Sequence, residues 1–432
     1  MMLIVQTLAF SVAISVVSAG AAPPKPTVDD LTPSDEELGK RFVEFLQMDA
    51  RAQAAQRFGS IQTAVKLLSA GLRSPLVKGD GKREGAQILG GLGLGDTIPL
   101  FEELAQNPAD DSARDFAYGF LQASKTFPDV MPLKGRFVAA MWPTFRRGFP
   151  LGDTHEIALE LDEKTALEGI LAPENWNIKN PVFRSMIQTL AGKDVRLPVE
   201  KLTAVLPELE GAGEGSAQTR ANVLYCLALV APSQAEPLIL AELGKPRGQG
   251  MFSGREEFSK ALCAAKGLVN PYGKILERMD KHRFKGIDVS EQKFIAVMLY
   301  YYSTHQALSD FFEYHERDKW NVLRQAFSDI GAPKSVALLD AWAKVFPKAK
   351  PGQKGFDLGT EETRFQKKTG ASLYDELERV EKGIEGLEND ELVPLAYLWL
   401  AENADKILTA WKPKPTPPKR KKGKAGQATK TK

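Results

Sequence analysis

Between Phe294 and Phe346 apolar side chains recur every three or four residues, and this spacing limits what the chain can become more than any other feature. Phe294, Val297, Met298, Tyr301, His305, Leu308 and Phe312 share one helical face, apolar apart from His305. Trp320, Leu323, Phe327 and Ile330 repeat the pattern, and Gly331 stops it in the way a glycine just past a helix end does. Pro333 suits the first turn of a third helix, with a predicted apolar face of Val336, Leu339, Ala343 and Phe346. Pro347 closes it, since proline cannot extend the hydrogen-bond ladder. The aromatic residues of this stretch are expected to form a helical core rather than the walls of a ligand pocket.

Elsewhere no series of alternating, β-branched segments signals strands, and the chain reads as all-α. Its 432 residues suffice for two or three domains, and 43% hydrophobic with 26% charged residues is ordinary for soluble globular protein. Glycines in Ala86-Gln87-Ile88-Leu89-Gly90-Gly91-Leu92-Gly93-Leu94-Gly95 suggest a dinucleotide loop at first sight. The G-x-G-x-x-G register is absent and no strand precedes them, so they read as a helix end with small packing residues.

Internal similarity organises the middle of the chain. Ile98 to Leu104 reads as the second helix of a repeat unit, and Val130 to Leu133 restarts a similar phrase about 33 residues on. A shift of about 37 residues lays Tyr225-Cys226-Leu227-Ala228 on Leu262-Cys263-Ala264-Ala265 and Leu238-Ile239 on Ile275-Leu276. Each copy is helix, proline-bearing loop (Ala231-Pro232, then Asn270-Pro271) and helix. This resembles HEAT-type repeats, whose helix pairs bury their apolar faces only by stacking on neighbours. The expected architecture is an irregular HEAT-like α-solenoid over 35–271 followed by a compact helical domain over 272–411, with the seam at Asn270-Pro271-Tyr272-Gly273. Within the second part, 348–370 reads as a loop too polar to pack. Ser372 then caps a helix with Leu373, Leu377, Val380, Ile384 and Leu387 inward, and one last helix follows Pro394 through Trp399 to about Leu408.

Tyr301 and His305-Gln306-Ala307-Leu308-Ser309-Asp310-Phe311-Phe312, followed by Ile330-Gly331-Ala332-Pro333, resemble the bacterial DNA-mimic protein family. Gly386-Leu387-Glu388-Asn389-Asp390-Glu391-Leu392 is similar to that family's short acidic link between its last two helices, so the resemblance spans about residues 272–412. It implies a helical domain and, if activity follows fold, carboxylates standing in for phosphates. The candidate partner-binding residues are therefore Asp375, Glu376, Glu378, Glu381, Glu385, Glu388, Asp390 and Glu391. Basic residues offset the acidic ones over 272–412, which favours a solvated helix face and a shared fold rather than a shared activity.

At the N-terminus, an apolar run over 1–21 ends in small residues (Val17-Ser18-Ala19, Ala19-Gly20-Ala21) and reads as an export signal, with a Pro-rich leader over 22–34. Cleavage gives a periplasmic or secreted protein without a transmembrane helix; without cleavage the run is a membrane anchor. Ser34-Asp35-Glu36-Glu37 has the pattern of a capping box that opens the helices, and Phe42, Phe45 and Leu46 follow it. Residues 412–432, rich in lysine and proline and free of large hydrophobes, are expected to be a disordered basic tail able to contact anionic polymers without sequence specificity. Cys226 and Cys263 can pair or remain free thiols.

No catalytic, cofactor or metal residues can be named. His305 and His315 lie too far apart along a helix to share an ion, and Asp310, Glu313 and His315 are closer but form no recognised ligand set. The expected function is that of an exported, non-enzymatic binding protein with a protein partner. The alternative is a charge-mimic or polyanion-linked regulator acting through the acidic helix or the lysine tail.

Overall fold

A computed structural model of the chain describes residues 50–107, 112–146, 154–210, 215–245, 254–306, 317–346, 348–351, 353–387 and 391–412. The export signal, the leader, the capping box at Ser34, residues 307–316, Glu388, Asp390 and the tail beyond Lys412 lie outside the described residues. Among the described residues the regular structure is helical and contains no strand, so the chain is all-α. None of the described helices is long and apolar enough to cross a membrane.

The helices open with α1 (Ala50–Phe58), α2 (Ile61–Arg73), α3 (Asp80–Gly91), α4 (Ile98–Ala105), α5 (Ser112–Thr126), α6 (Lys134–Met141) and α7 (Thr154–Leu161). Next come α8 (Glu163–Ile170), α9 (Phe183–Gly192), α10 (Val199–Val205), α11 (Ser216–Val230), α12 (Pro232–Leu243), α13 (Arg255–Ala265) and α14 (Pro271–His282). The last group is α15 (Val289–Gln306), α16 (Arg317–Asp329), α17 (Pro333–Val345), α18 (Leu358–Thr369), α19 (Leu373–Lys382), α20 (Leu392–Glu402) and α21 (Ala404–Trp411).

Alternate helices pack on one another: α3 on α5, α5 on α7, α7 on α9, α9 on α11, and α11 on α13. The row then leaves chain order, because α20 packs along α13 and α15 packs on α20. Polar bonds join successive members of the row. Arg83 reaches Asp115 at 2.8 Å, Lys125 reaches Glu160 at 2.5 Å, and Lys193 reaches Glu156 at 2.7 Å. Arg184 then meets Gln218 and Gln218 meets Glu257. Such exposed pairs are each worth roughly 0–1 kcal/mol, so they set the register of the row more than its stability.

The tightest crossing in this row has no side chains between the two backbones. Gly90 of α3 and Gly119 of α5 face each other's helices so closely that a Cβ on Gly119 would lie 2.1 Å from the Gln87 carbonyl oxygen. The Gly90 stretch is therefore a helix end with small packing residues, as its sequence suggests. Phe101, Phe116, Phe120 and Phe137 fill the core beside it, with ring centroids 3.9 Å apart for the last two.

Among the described residues the aromatic stretch forms three helices, and the break at Gly331 falls where anticipated. Trp320, Leu323, Phe327 and Ile330 are all buried, and Gly331 has φ +77°. The Ala332 amide bonds the Phe327 carbonyl at 2.8 Å and Pro333 opens α17. Two details differ. α15 buries Phe294, Ile295, Ala296, Val297, Met298 and Tyr300 together, because α16 and α20 flank it on separate sides. α17 buries the expected Leu339 and Phe346, with Val336 and Ala343 packed against the core, and also Ser335, Leu338 and Trp342, whose indole donates to the Leu377 carbonyl at 2.9 Å.

Two expectations for the C-terminal part are corrected. Residues 358–369 form α18 instead of a loop: Asp357 caps it through the Thr360 amide at 2.8 Å, and Phe365 and Glu361 turn inward. Burial pushes the Glu361 carboxyl up, but the amides of Lys348 and Ala349 and the Arg364 guanidinium more than offset this and hold it below the ordinary range. The helix after Pro394 is two helices, because the chain leaves helical geometry at Asn403 between α20 and α21.

Glu291, fully buried on α15, ties that end together. It accepts from Arg278 Nε at 2.7 Å, from the Asp288 amide at 2.7 Å and from Trp411 Nε1 at 2.8 Å. Cys226 and Cys263 are buried free thiols. Burial pushes the Cys226 thiol up to about 12 and raises that of Cys263 as well.

His155 of α7 is a separate case. Its ring lies 4.8 Å from that of Phe145, and neither ring nitrogen has a hydrogen-bond partner. Burial holds its pKa down at about 4, against an ordinary 6.5. The unfolded chain therefore takes up a proton as the pH falls through 6.5 while the folded chain does so only near 4, and stability is lost across that window. Urea unfolding at pH 7 and pH 5 should differ by about 2 kcal/mol from this group alone. His155→Leu should remove that part of the pH dependence; an unchanged difference would show that His155 is not its source.

Candidate functional site

The row of helices places polar residues on a shared cleft of about 350 Å³. α9 and the turn after it contribute Gln188, Gly192 and Asp194; α11 contributes Gln218, Asn222 and Tyr225; α13 contributes Glu257 and Lys260. Asn270, Pro271 and Tyr272 close one side, Tyr302 comes from α15 and Tyr397 from α20. Positions 218, 222 and 225 follow the four-three spacing of one helical face, so α11 presents a polar stripe although its other faces are buried.

The backbone is held in an unusual state at two edges of the cleft. Asp194 and Asn270 have φ of +55° and +44°, the left-handed region that glycine enters freely and that aspartate and asparagine tolerate best among other residues. Asp194 sits just past α9, where the following Val195 amide reaches back to the Leu190 carbonyl at 3.0 Å. Asn270 caps α14, its side-chain oxygen accepting from the Gly273 amide at 3.2 Å. Both converge on one phenol: Tyr225 donates to Asp194 Oδ1 at 2.5 Å, and the Asn270 backbone bonds the same hydroxyl. Strained backbone gathered beside a polar cleft is a pattern found at ligand sites.

Burial first, and the Asp194 carboxylate second, raise the Tyr225 phenol well above its ordinary range. Burial likewise raises Tyr397, Tyr302 and Tyr272, so all four phenols remain neutral near pH 7. Lys260 is paired with Glu256 at 2.5 Å and lies 5.6 Å from the centre of the Tyr397 ring. Glu257 accepts from Gln218 at 3.2 Å. Asn222 is only 8% exposed and, among the described residues, its side-chain amide has no hydrogen-bond partner; the Tyr397 hydroxyl, on a residue 4% exposed, has none there either.

The acidic residues singled out in the sequence lie elsewhere. Asp375, Glu376, Glu378 and Glu381 belong to α19, with Glu385 just beyond it, and none lines the cleft. Arg379 holds Glu376 at 2.5 Å and keeps its carboxyl below the ordinary range, and Lys382 holds Glu378 at 3.1 Å. Glu391, at the start of α20, faces Arg255 at 3.4 Å. Reasoning from sequence missed the cleft because its residues spread from 188 to 397, each unremarkable alone. The available signal was the polar stripe at 218, 222 and 225 on a helix whose C-terminal half is largely apolar. Compared with known proteins, the chain matches no family model, no curated protein and no solved structure.

Proposed function

We propose that the protein is a non-enzymatic binding protein, exported by its N-terminal signal, in which HEAT-like stacked helix pairs present the tyrosine and amide cleft to a partner. The observation that carries this reading is the convergence of five helices of one row (α9, α11, α13, α20 and α15) on one polar cleft. Repeat proteins use such continuous faces for binding, since each stacked unit adds side chains to the same side. Among the described residues the phenols of the cleft are raised and both thiols are buried and raised, which does not favour a catalytic reading. The DNA-mimic likeness of the C-terminal helices bears on fold in this reading. Regulation by charge mimicry is less favoured in this reading, because on α19 Arg379 pairs with Glu376 and Lys382 with Glu378.

Hydrogen exchange on the full chain, alone and with material it captures from its native extract, tests the assignment. Protection should concentrate at residues 188–194, 218–225, 257–260 and 270–272. Protection confined to α19 or to the exposed Leu238 and Leu240 of α12 would overturn it.

A further inference from the structure

Resting on the binding reading above, we infer that the cleft takes a neutral saccharide. The walls point to this class by what they contain and by what they lack. Among the described residues they carry four phenols and four side-chain amides but no leucine, isoleucine, valine, methionine or phenylalanine. An aliphatic ligand, or the apolar anchor of a peptide, would find no branched surface to bury against. A sugar ring offers the complementary pattern, with C–H faces for phenol rings and a rim of hydroxyls that both donate and accept. Tyr272 and Tyr302, 5.6 Å apart and tilted by 49°, form an angled aromatic wall for such faces.

Charge narrows the class further. Asp194 and Glu257 place two carboxylates in the cleft, and the Lys260 ammonium is already matched by Glu256. An anionic ligand would meet net repulsion. A cationic one would have to displace the Tyr225 and Gln218 hydrogen bonds that already hold Asp194 and Glu257, and to compete with Lys260 for the face of Tyr397. A neutral, hydroxyl-rich molecule escapes both penalties. The Asn222 amide and Tyr397 hydroxyl, on largely buried residues that line the cleft and without a partner among the described residues, supply the hydrogen bonds that a sugar rim would complete. A volume of about 350 Å³ lies at the small end of small-molecule sites, which run from roughly 300 to 1,000 Å³.

The test is titration calorimetry and saturation-transfer NMR on the full-length protein with glucose, N-acetylglucosamine, maltose and cellobiose, and with glucose 6-phosphate and a neutral tripeptide for contrast. At least one neutral sugar should bind saturably, and more tightly than the phosphate. Asn222→Ala should weaken it about tenfold, the worth of one hydrogen bond. Its melting temperature should hold, because Asn222 has no internal bond to lose. Tyr302→Ala, at a ring 42% exposed, serves as a second variant that the fold tolerates. No sugar binding, or sugar binding indifferent to both substitutions, overturns the inference. Tripeptide binding that both substitutions weaken, without sugar binding, overturns the saccharide class while leaving the cleft a binding site. Exchange protection away from the cleft would instead remove the underlying reading.

Discussion

Gly119→Ala should destabilise the protein by at least about 3 kcal/mol, beyond the roughly 1–3 kcal/mol usual for an overpacked core. The added methyl would lie 2.1 Å from the Gln87 carbonyl oxygen and 2.6 Å from the Gly91 nitrogen, and both are backbone atoms with no rotamer to change. Only separation of α3 from α5 can make room, and that loosens Leu89, Phe116 and Phe120 together. Gly90→Ala meets the Phe116 carbonyl oxygen at 2.0 Å and should behave alike. Gly71→Ala in α2 is the control: nothing lies within 4 Å of its added methyl, so the lower entropy of the unfolded chain should stabilise by about 0.5–1 kcal/mol. Urea midpoints should move in opposite directions for the two substitutions. Equal small shifts would mean that the helices are not in backbone contact.

Glu291→Ala should cost about 3 kcal/mol, typical of removing one partner from a buried ion pair. The loss strands the Arg278 guanidinium, the Asp288 amide and the Trp411 indole N–H at once. Glu291→Gln keeps the shape and one acceptor oxygen and should recover part of this. The stability of the two variants by urea unfolding, with Trp411→Phe in a double-mutant cycle, checks the assignment. Additive effects of Glu291→Ala and Trp411→Phe would show that the indole bond is not coupled to the carboxylate.

Much of this fold could be read from local chemistry. The breaks at Gly331 and Pro333 depend on backbone rules that hold regardless of surroundings, and the Ser372 cap is of the same kind, with its oxygen 3.4 Å from the Asp375 amide. The buried face of Trp320, Leu323, Phe327 and Ile330 was legible because α16 has a clear apolar side. α18 was not, since its sequence is mostly polar and it depends on one cap and a buried carboxylate satisfied by amides from Lys348 and Ala349. The burial of Trp342 on α17 depends on a partner at Leu377, distant in sequence. The cleft was illegible for the same reason. Asn270, Pro271 and Tyr272 stood out only as a loop, and Tyr225 only as a repeat marker, until packing placed α20 between α13 and α15.

The two unlinked thiols give the molecule a chemical clock. Cys226 lies on α11 and Cys263 on α13, where the latter's sulfhydryl donates to the Tyr397 carbonyl at 3.1 Å. An alkylating reagent meets neither sulfur until one of those helices opens, so the pace of labelling reports how often the wall behind the cleft breathes. Because no covalent bridge joins them, that pace should be the same in oxidising and reducing buffer.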